Sequence, residues 1–173
     1  MIRKFKSFVP HITESCYIFP AATIIGNVTL GENIIVYPGV VIRAERQSIA
    51  IGDNTNIQEN TTIHIETGYD VNIGSGVTIG HNAIVHGCTI QDNVLIGMGA
   101  IIQEGAVIGE NSFIGAGALI RRGMIIPPGS MVYGFPARIV RPITDTEYIE
   151  IRESTEEYQI SRREFKKQDA VSS

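Results

Sequence analysis

The chain has 173 residues, of which 43% are hydrophobic, and it carries a formal net charge of −4 at pH 7. This length and composition predict one domain with an ample core. The negative charge and the lack of a basic cluster argue against a nucleic-acid partner, and no apolar run is long enough to span a membrane. Because Pro10, His11 and Glu14 interrupt any apolar signal segment, we expect a cytoplasmic protein.

An aliphatic residue recurs every six positions along most of the chain. No α-helix keeps apolar residues in line at that period, whereas extended chain that turns every six residues does so. Three six-residue sides make one triangular coil, so the pattern predicts a parallel β-helix of six coils with Gly-rich corners. The predicted inward positions, called slots here, are Ile24, Leu30, Val36, Ile42, Ile51, Ile57, Ile63, Ile73, Ile79, Val85, Ile90, Ile96, Ile102, Ile108, Ile114, Ile120, Ile126 and Val132.

The six-residue register slips three times. We interpret a nine-residue step at Ala44–Ala50 and a ten-residue step at Glu66–Asp70 as loops let out at corners. A five-residue step after Val85 is a one-residue deletion. The two cysteines, Cys16 and Cys88, are few and far apart in sequence, so each is predicted to be a small buried thiol rather than half of a disulfide.

The pattern changes after Pro142. Thr144 followed by Glu147 has the form of a helix-capping box. We therefore divide the chain into a β-helix domain over 1–143, a helix over 144–168 packed on the prism or against a neighbour, and a frayed tail over 169–173. A semi-apolar stripe recurs at helical spacing at Tyr148, Ile151, Thr155, Tyr158, Arg162 and Phe165.

The register predicts where three of the four histidines point. Slots three apart share a side of the prism, and the residues that follow slots four, seven and ten are Arg43, His64 and His86. These polar side chains should form an outward column on adjacent rungs, at a spacing of about 4.7–4.9 Å. The preceding side carries Gln58 and His81.

A metal site built from these histidines needs more than one chain. Five residues of extended chain separate His81 from His86, which is a distance on the order of 15 Å. A zinc ion needs each ligand nitrogen at about 2.0–2.1 Å from itself. In a closed cyclic trimer, His64 and His86 of one chain can face His81 of the next. Three histidines leave one tetrahedral position open, as in catalytic zinc sites.

Each polar residue also has a plainer interpretation. A lone outward histidine is usually a surface group, and we interpret His11, outside the register, that way. Arg43 fits an interface ion pair better than a catalytic role. Gln58 fits equally well as a residue that orients a metal-bound water or as one that hydrogen-bonds along its own coil, and Glu66 and Asp70 fit solvated loop residues.

Several motifs together resemble the γ-class carbonic anhydrases and their hexapeptide-repeat relatives. The likeness runs from about Pro10 to Phe165, and its histidine spacing is its specific part, because acyltransferases and sugar nucleotidyltransferases share the repeat. The motifs are Ile79-Gly-His-Asn-Ala-Ile-Val-His-Gly-Cys88 with His64 upstream, Arg43-Ala-Glu45, Asn56-Ile-Gln58-Glu59 and Gly134-Phe-Pro-Ala-Arg138.

The resemblance implies a left-handed β-helix and a homotrimer with zinc, or iron or cobalt, at each subunit interface. It implies that His64 and His86 bind the metal from one chain and His81 from its neighbour. Gln58 matches the residue that contacts the metal-bound hydroxide. Tyr158 falls where the C-terminal helix of active members places a tyrosine near the site.

Other positions depart from the family pattern. The usual Arg-Gly-Asp is Arg43-Ala-Glu45 here, with Arg43 matching an arginine that pairs with an acid across the interface. The best-studied active branch has an acid at Arg46, an asparagine at Ile160 and a long acidic loop at Glu66–Asp70. Those features are associated with proton shuttling, which leaves Glu45 or buffer to carry the proton away.

The leading functional hypothesis is reversible hydration of CO2 to bicarbonate by hydroxide generated at the metal. One alternative is an acyl-CoA thioesterase or acyltransferase, although no spare histidine lies on a protruding loop to act as general base in acetyl transfer. The other is a non-catalytic trimeric scaffold that binds metal.

Overall fold

In the computed structural model, which describes residues 1–172, short parallel strands stack into a left-handed β-helix that ends in a long helix. This is the predicted fold class. The strands are β1 (Ile2–Arg3), β2 (His11–Ile12), β3 (Tyr17–Ile18), β4 (Thr23–Leu30), β5 (Ile35–Val36), β6 (Val41–Ile51), β7 (Asn56–Ile57), β8 (Thr62–His64), β9 (Val71–Ile73), β10 (Thr78–Ile79), β11 (Ile84–His86), β12 (Thr89–Ile90), β13 (Leu95–Ile96), β14 (Ile101–Ile102), β15 (Val107–Ile108), β16 (Phe113–Ile114), β17 (Leu119–Ile120), β18 (Ile125–Ile126), β19 (Ser130–Gly134) and β20 (Ala137–Pro142), and the helix is α1 (Asp145–Ser172).

The strands form three parallel faces of a prism. The first, here the histidine face, contains β1, the first halves of β4 and β6, then β8, β11, β14 and β17. The second contains β2, the second halves of β4 and β6, then β9, β12, β15 and β18. The third, here the helix face, contains β3, β5, β7, β10, β13, β16 and β19, with β20 antiparallel at its end.

The core is the column of inward aliphatic side chains that the repeat predicts. Every one of the eighteen predicted slots is at most 5% exposed. Cys16 and Cys88 are buried free thiols, as predicted, and burial raises the pKa of Cys88 to about 12.

The prediction of six coils was wrong, because the N-terminal strands add a further coil. Ile12 pairs opposite Leu30 and Ile18 opposite Val36, so both continue the six-residue step backwards. They lie at the open end of the prism, where only one neighbouring coil covers them, and both are only partly buried.

The nine-residue step at Ala44–Ala50 is not a loop, which corrects that interpretation. β6 stays extended through it and turns from the histidine face to the second face beside β4, with a register shift between Gly26 and Val28. The two strands approach closely there, because a Cβ at Gly26 would lie 1.9 Å from the Ala44 carbonyl oxygen. The loop predicted at Glu66–Asp70 is present as a tight turn.

The corners require left-handed backbone, which asparagine and glycine adopt at low cost. From residue 93 to residue 129 a positive φ recurs every sixth residue, in phase with the slots. This explains why the residues between slots are rich in these two types. The positive-φ residues of that stretch are Asn93, Gly99, Gly105, Asn111, Gly117, Gly123 and Gly129.

α1 lies along the helix face, against β3, β5, β7 and β10. Ile151 is 1% exposed and Arg162 8%, whereas Tyr148, the first residue of the predicted stripe, is 38% exposed. Side chains of α1 also donate hydrogen bonds to backbone carbonyls of the prism. These bonds join Thr155 Oγ1 to Gly76 (3.1 Å), Gln159 Nε2 to Asn33 (2.9 Å) and Arg162 Nη1 to Ser15 (2.6 Å).

The helix continues to Ser172, past its predicted end at residue 168. Neither glycine nor proline interrupts residues 166–172, and the hydroxyl of Tyr17 donates to Asp169 Oδ2 at 2.8 Å. Ser173, the rest of the predicted frayed tail, lies outside the described residues. Within residues 1–172, no helix has both the length and the apolar composition that a bilayer crossing needs.

The predicted capping box is present at the start of α1. The Thr144 N–H donates to Glu147 Oε2 (2.8 Å), and the Glu147 N–H donates to Thr144 Oγ1 (3.3 Å). Arg141 donates to both oxygens of the same carboxylate, at 2.7 and 2.8 Å. Hydrogen bonds from Arg141, then from the Thr144 backbone, lower the pKa of Glu147 from 4.5 to about 2.

Replacing an inward slot residue should destabilise the protein far more than replacing its outward neighbour. Ile126→Ala leaves a cavity in the core and should cost about 2–5 kcal/mol in the free energy of unfolding. Ile125 is 70% exposed, so Ile125→Ala should stay within about 0.5 kcal/mol of the parent. Denaturant unfolding measures both, and equal losses would contradict the inward register.

Glu147 should stabilise the fold in a pH-dependent way. Its folded pKa is lowered, so its contribution is full above the unfolded value of 4.5 and is lost as the pH falls through about 2. Glu147→Gln should therefore lower the melting temperature at pH 7 and approach the parent as the pH falls towards 2. The exposed Glu153→Gln is the matched control, and a Glu147→Gln deficit that persists at pH 2 would refute this role.

Candidate metal centre

The histidine face carries the predicted column. Arg43, His64 and His86 stand opposite one another on β6, β8 and β11. The rings of His64 and His86 have centroids 5.3 Å apart and planes tilted by 35°. Two imidazoles at this spacing on neighbouring rungs are placed to bind one ion from the same side.

Carboxylates surround both of these histidines. His64 Nε2 lies 3.3 Å from Glu45 Oε2. His86 Nδ1 lies 3.6 Å from Glu104 Oε2, and its Nε2 lies 3.8 Å from Glu66 Oε2. Carboxylates beside imidazole nitrogens orient histidine ligands and raise their basicity in metal sites.

Arg43 forms an ion pair with Glu45 of the same chain. The pairing with an acid across a subunit interface, which the family resemblance implies, stays a prediction. The pair forms within the chain because residues two apart on an extended strand point to the same side. Glu45 therefore sits between a fixed cation and the His64 imidazole.

The surroundings of His64 favour its neutral form. Burial, then the charge of Arg43, then His86, lower the pKa of His64 below its ordinary value of 6.5. A neutral imidazole keeps a lone pair for a metal ion, which the protonated form lacks.

His81 lies after β10, at the edge of the helix face, with Gln58 after β7 on the rung before. His81 Nδ1 is 2.6 Å from Glu59 Oε2. A carboxylate only accepts hydrogen bonds, so in the neutral imidazole Nδ1 carries the hydrogen and the lone pair is on Nε2. The side chain is 42% exposed, which leaves that nitrogen open to a ligand.

Gln58, His81 and Tyr158 line one cavity of about 380 Å³ between the prism and α1. Gln58 is only 5% exposed. Burial, then the charges of Glu59 and Glu157, raise the pKa of Tyr158. The phenol is therefore a neutral donor at physiological pH.

The predicted site residues fall into two groups within one chain. Arg43, Glu45, His64 and His86 share the histidine face, and Gln58, His81 and Tyr158 surround the cavity under α1. Among residues 1–172, no group of three or more His, Cys, Asp or Glu side chains is placed to hold one metal ion. The structure thus separates His81 from the other two histidines, as the register predicted.

A second cavity, of about 420 Å³, opens beside His64. The N-terminal turn that joins Phe5 to Phe8 places Lys6 at its rim, near Arg43 and Arg46. Sequence reasoning missed this wall, because residues 1–8 stand outside the six-residue register.

Three further polar residues near the site were given no role by the sequence analysis. Glu104 follows its slot by two residues, as His81 does, and this shared offset was an available signal. Asn56 and Thr78 both precede slots on the helix face and are 0% and 3% exposed. Their burial depends on α1, which the repeat alone does not position.

Comparison with known proteins agrees with this architecture. The family model for bacterial transferase hexapeptide repeats (six repeats) matches residues 87–122. A protein of Methanocaldococcus jannaschii, provisionally named a carbonic anhydrase, is 45% identical over 147 residues, which are 85% of this chain and 92% of that protein. The mitochondrial gamma carbonic anhydrase 2 of Arabidopsis thaliana is 35% identical over 86% of this chain, which spans 56% of that protein.

The chain belongs to the γ-class carbonic anhydrase family. A solved structure from Bacillus cereus, provisionally described as an acetyltransferase, has a TM-score of 0.94 and 36% identity. It covers 96% of this chain and 97% of its own. Members of this structural family therefore carry names from two kinds of chemistry.

Gly87, which follows His86, occupies a position where a side chain would be both strained and crowded. Its φ is +54°, and an added Cβ would lie 3.0 Å from the Cβ atoms of Tyr69 and Glu104 and 3.2 Å from that of Glu66. Gly87→Ala should cost about 1–2 kcal/mol for left-handed backbone and a further ~1–3 kcal/mol for crowding.

Gly99→Ala separates the two costs. Gly99 has a φ of +69°, and apart from Gly99 itself and its two chain neighbours no atom of residues 1–172 lies within 4 Å of its added Cβ. Denaturant unfolding should show the smaller loss for Gly99→Ala. Equal losses would mean that the side chains around His86 are not packed against Gly87.

Proposed function

We propose that the protein catalyses reversible hydration of CO2 to bicarbonate at a divalent metal ion shared between the chains of a homotrimer. One observation carries the proposal: His64 and His86 stand side by side on one face, while His81 presents its Nε2 lone pair from the next. Relatives named as carbonic anhydrases support the assignment of the reaction.

The shared site follows from the separation of the two groups. One chain offers two imidazoles on the histidine face and one at the edge of the helix face. A closed three-fold ring brings the histidine face of each chain against the His81 edge of the next, so three equal sites form. The carboxylate of Glu45 then neutralises the charge of Arg43 beside that interface.

The residues present fit a catalytic metal ion. Three neutral imidazoles suit zinc, iron or cobalt, and they leave a position open for water. His81 has a carboxylate hydrogen-bonded at Nδ1, which orients the ring and leaves Nε2 for the ion. When bound, such an ion supplies hydroxide near neutral pH, because it lowers the pKa of water from 15.7 to about 7.

The other side chains position the reactants and move the proton. Gln58 and Tyr158 line the cavity beside His81, where the amide and the neutral phenol can orient water and bicarbonate. Glu45 Oε2, 3.3 Å from His64 Nε2, is the carboxylate placed to accept the proton released by hydration. From there the proton passes to buffer.

A second candidate function is hydrolysis or transfer of an acyl group from a thioester. Two observations favour it: the similar Bacillus cereus structure described as an acetyltransferase, and cavities of about 380 and 420 Å³. Sites of ~300–1,000 Å³ hold ligands much larger than CO2. A non-catalytic scaffold is the third outcome, in which metal binds and neither reaction follows.

Stopped-flow CO2 hydration should decide among these functions. The protein is reconstituted separately with zinc and, without oxygen, with iron, and its metal content is confirmed first. We expect hydration that rises with metal occupancy. No CO2 hydration at full metal occupancy, together with turnover of an acyl-CoA, would instead support the thioester reaction. No activity on either substrate would support a scaffold.

His81→Ala should remove bound metal and CO2 hydration together, because it deletes one of three ligands from every shared site. His11→Ala changes an exposed histidine outside the proposed site and should alter neither. Metal analysis and light scattering would be performed on both variants. Retention of metal by a trimeric His81→Ala protein would refute the shared site.

A further inference from the structure

Two buried polar residues interrupt the helix face next to the proposed site. Asn56 and Thr78 directly precede inward slots on adjacent rungs and are 0% and 3% exposed. Burying an amide and a hydroxyl is unfavourable unless both are hydrogen-bonded. The same position on other rungs of this face is held by Ile35, Leu95 and Phe113.

These residues belong to a hydrogen-bonded chain that joins Gln58 to α1. Asn56 Nδ2 donates to Thr78 Oγ1 at 2.8 Å. Gln58 Nε2 donates to Asn56 Oδ1 at 3.2 Å. Thr78 Oγ1 in turn lies 3.4 Å from Ser154 Oγ on the helix.

Donors and acceptors alternate along this hydrogen-bonded chain. Their order decides whether Gln58 presents its oxygen or its NH2 group to the cavity. Thr78 accepts from Asn56, so its own hydrogen is available to Ser154. Asn56 donates from its NH2 group to Thr78, and its side-chain oxygen faces Gln58. Gln58 therefore donates to that oxygen from its NH2 group, and its Oε1 is the atom left to face the cavity.

The reversed chain is equally complete but has the opposite result. If the Thr78 hydroxyl donated to Asn56 Oδ1, the Asn56 NH2 group would donate to Gln58 Oε1. Gln58 would then present NH2 to the cavity beside His81. The structure has the first arrangement, with Asn56 Nδ2 on Thr78 Oγ1 and Asn56 Oδ1 on Gln58 Nε2, and Ser154 Oγ then lies within reach of the Thr78 hydrogen.

We propose that Thr78 and Ser154 are positioning residues that hold Gln58 with Oε1 towards the reacting water. This inference rests on the proposed function, in which water adds to CO2 beside His81. An acceptor at Oε1 takes a hydrogen bond from that water and leaves the lone pair of its oxygen for CO2. An NH2 group there would donate to the lone pair instead and oppose the attack.

The position of Ser154 is fixed by its neighbours on α1. Ile151 is 1% exposed, and Thr155 Oγ1 donates to the Gly76 carbonyl oxygen at 3.1 Å. The helix is therefore held against the prism on both sides of Ser154. α1 thereby acts on the orientation of an amide that it does not bond directly.

Thr78→Val tests the proposal, because it keeps the shape of the side chain and removes the hydroxyl. We expect kcat for CO2 hydration to fall about tenfold at full metal content with KM little changed, since the lost interaction acts on the reacting water. Thr78→Ser restores the hydroxyl and should keep kcat within about twofold of the parent. Ser154→Ala should give an intermediate loss.

Thr55→Val is the matched control. Thr55 is fully buried, and its hydroxyl donates to the Gly74 carbonyl oxygen without contacting Gln58. It should lose stability as Thr78→Val does and keep kcat. A kcat loss in Thr55→Val as large as that in Thr78→Val would overturn the proposal.

A second measurement does not depend on turnover. In the metal-free protein, hydrogen exchange of the Asn56 and Gln58 side-chain amides, followed by NMR, should be slow in the parent and in Thr55→Val and fast in Thr78→Val. Unchanged exchange in Thr78→Val would refute the hydrogen-bonded chain. If exchange is faster in Thr78→Val but the parent protein never hydrates CO2, the hydrogen-bonded chain is supported and only the proposed function is refuted.

Discussion

The six-residue step of the β-helix is the constraint on which the rest of the structure depends. Each side of the prism must turn one aliphatic side chain inwards and then change direction, so every third side stacks on the last in register. A polar residue placed directly after a slot therefore stands above its equivalent one coil away. His64 and His86 are brought together by this stacking alone, with ring centroids 5.3 Å apart.

The same geometry keeps the third histidine away. His81 follows its slot by two residues, so it lies at a corner and opens towards the helix face rather than the histidine face. A prism with rigid faces cannot bend to close this gap, which is why our proposed site uses two chains. Glu59 is hydrogen-bonded to the His81 imidazole, and Glu104 lies 3.6 Å from His86 on the other face.

The C-terminal helix is more than a cover for one face. It is held by side-chain donors that reach backbone carbonyls of the prism, and it buries polar residues that would otherwise meet water. Asn56 and Thr78 bond to one another, and together they join Gln58 to Ser154 on the helix. Stability and the orientation of Gln58 are consequently properties of the same contact.

The sequence by itself determined the inward slots, the column of Arg43, His64 and His86, and the start of α1, because a strict period and a capping box are local signals. Only the tertiary structure decided the extended course of Ala44–Ala50, since that depends on how closely β4 approaches. It also decided the N-terminal coil and the burial of Asn56, because both depend on chain segments distant in sequence. Periodicity fixes which way a side chain points, and packing between distant segments fixes what it meets.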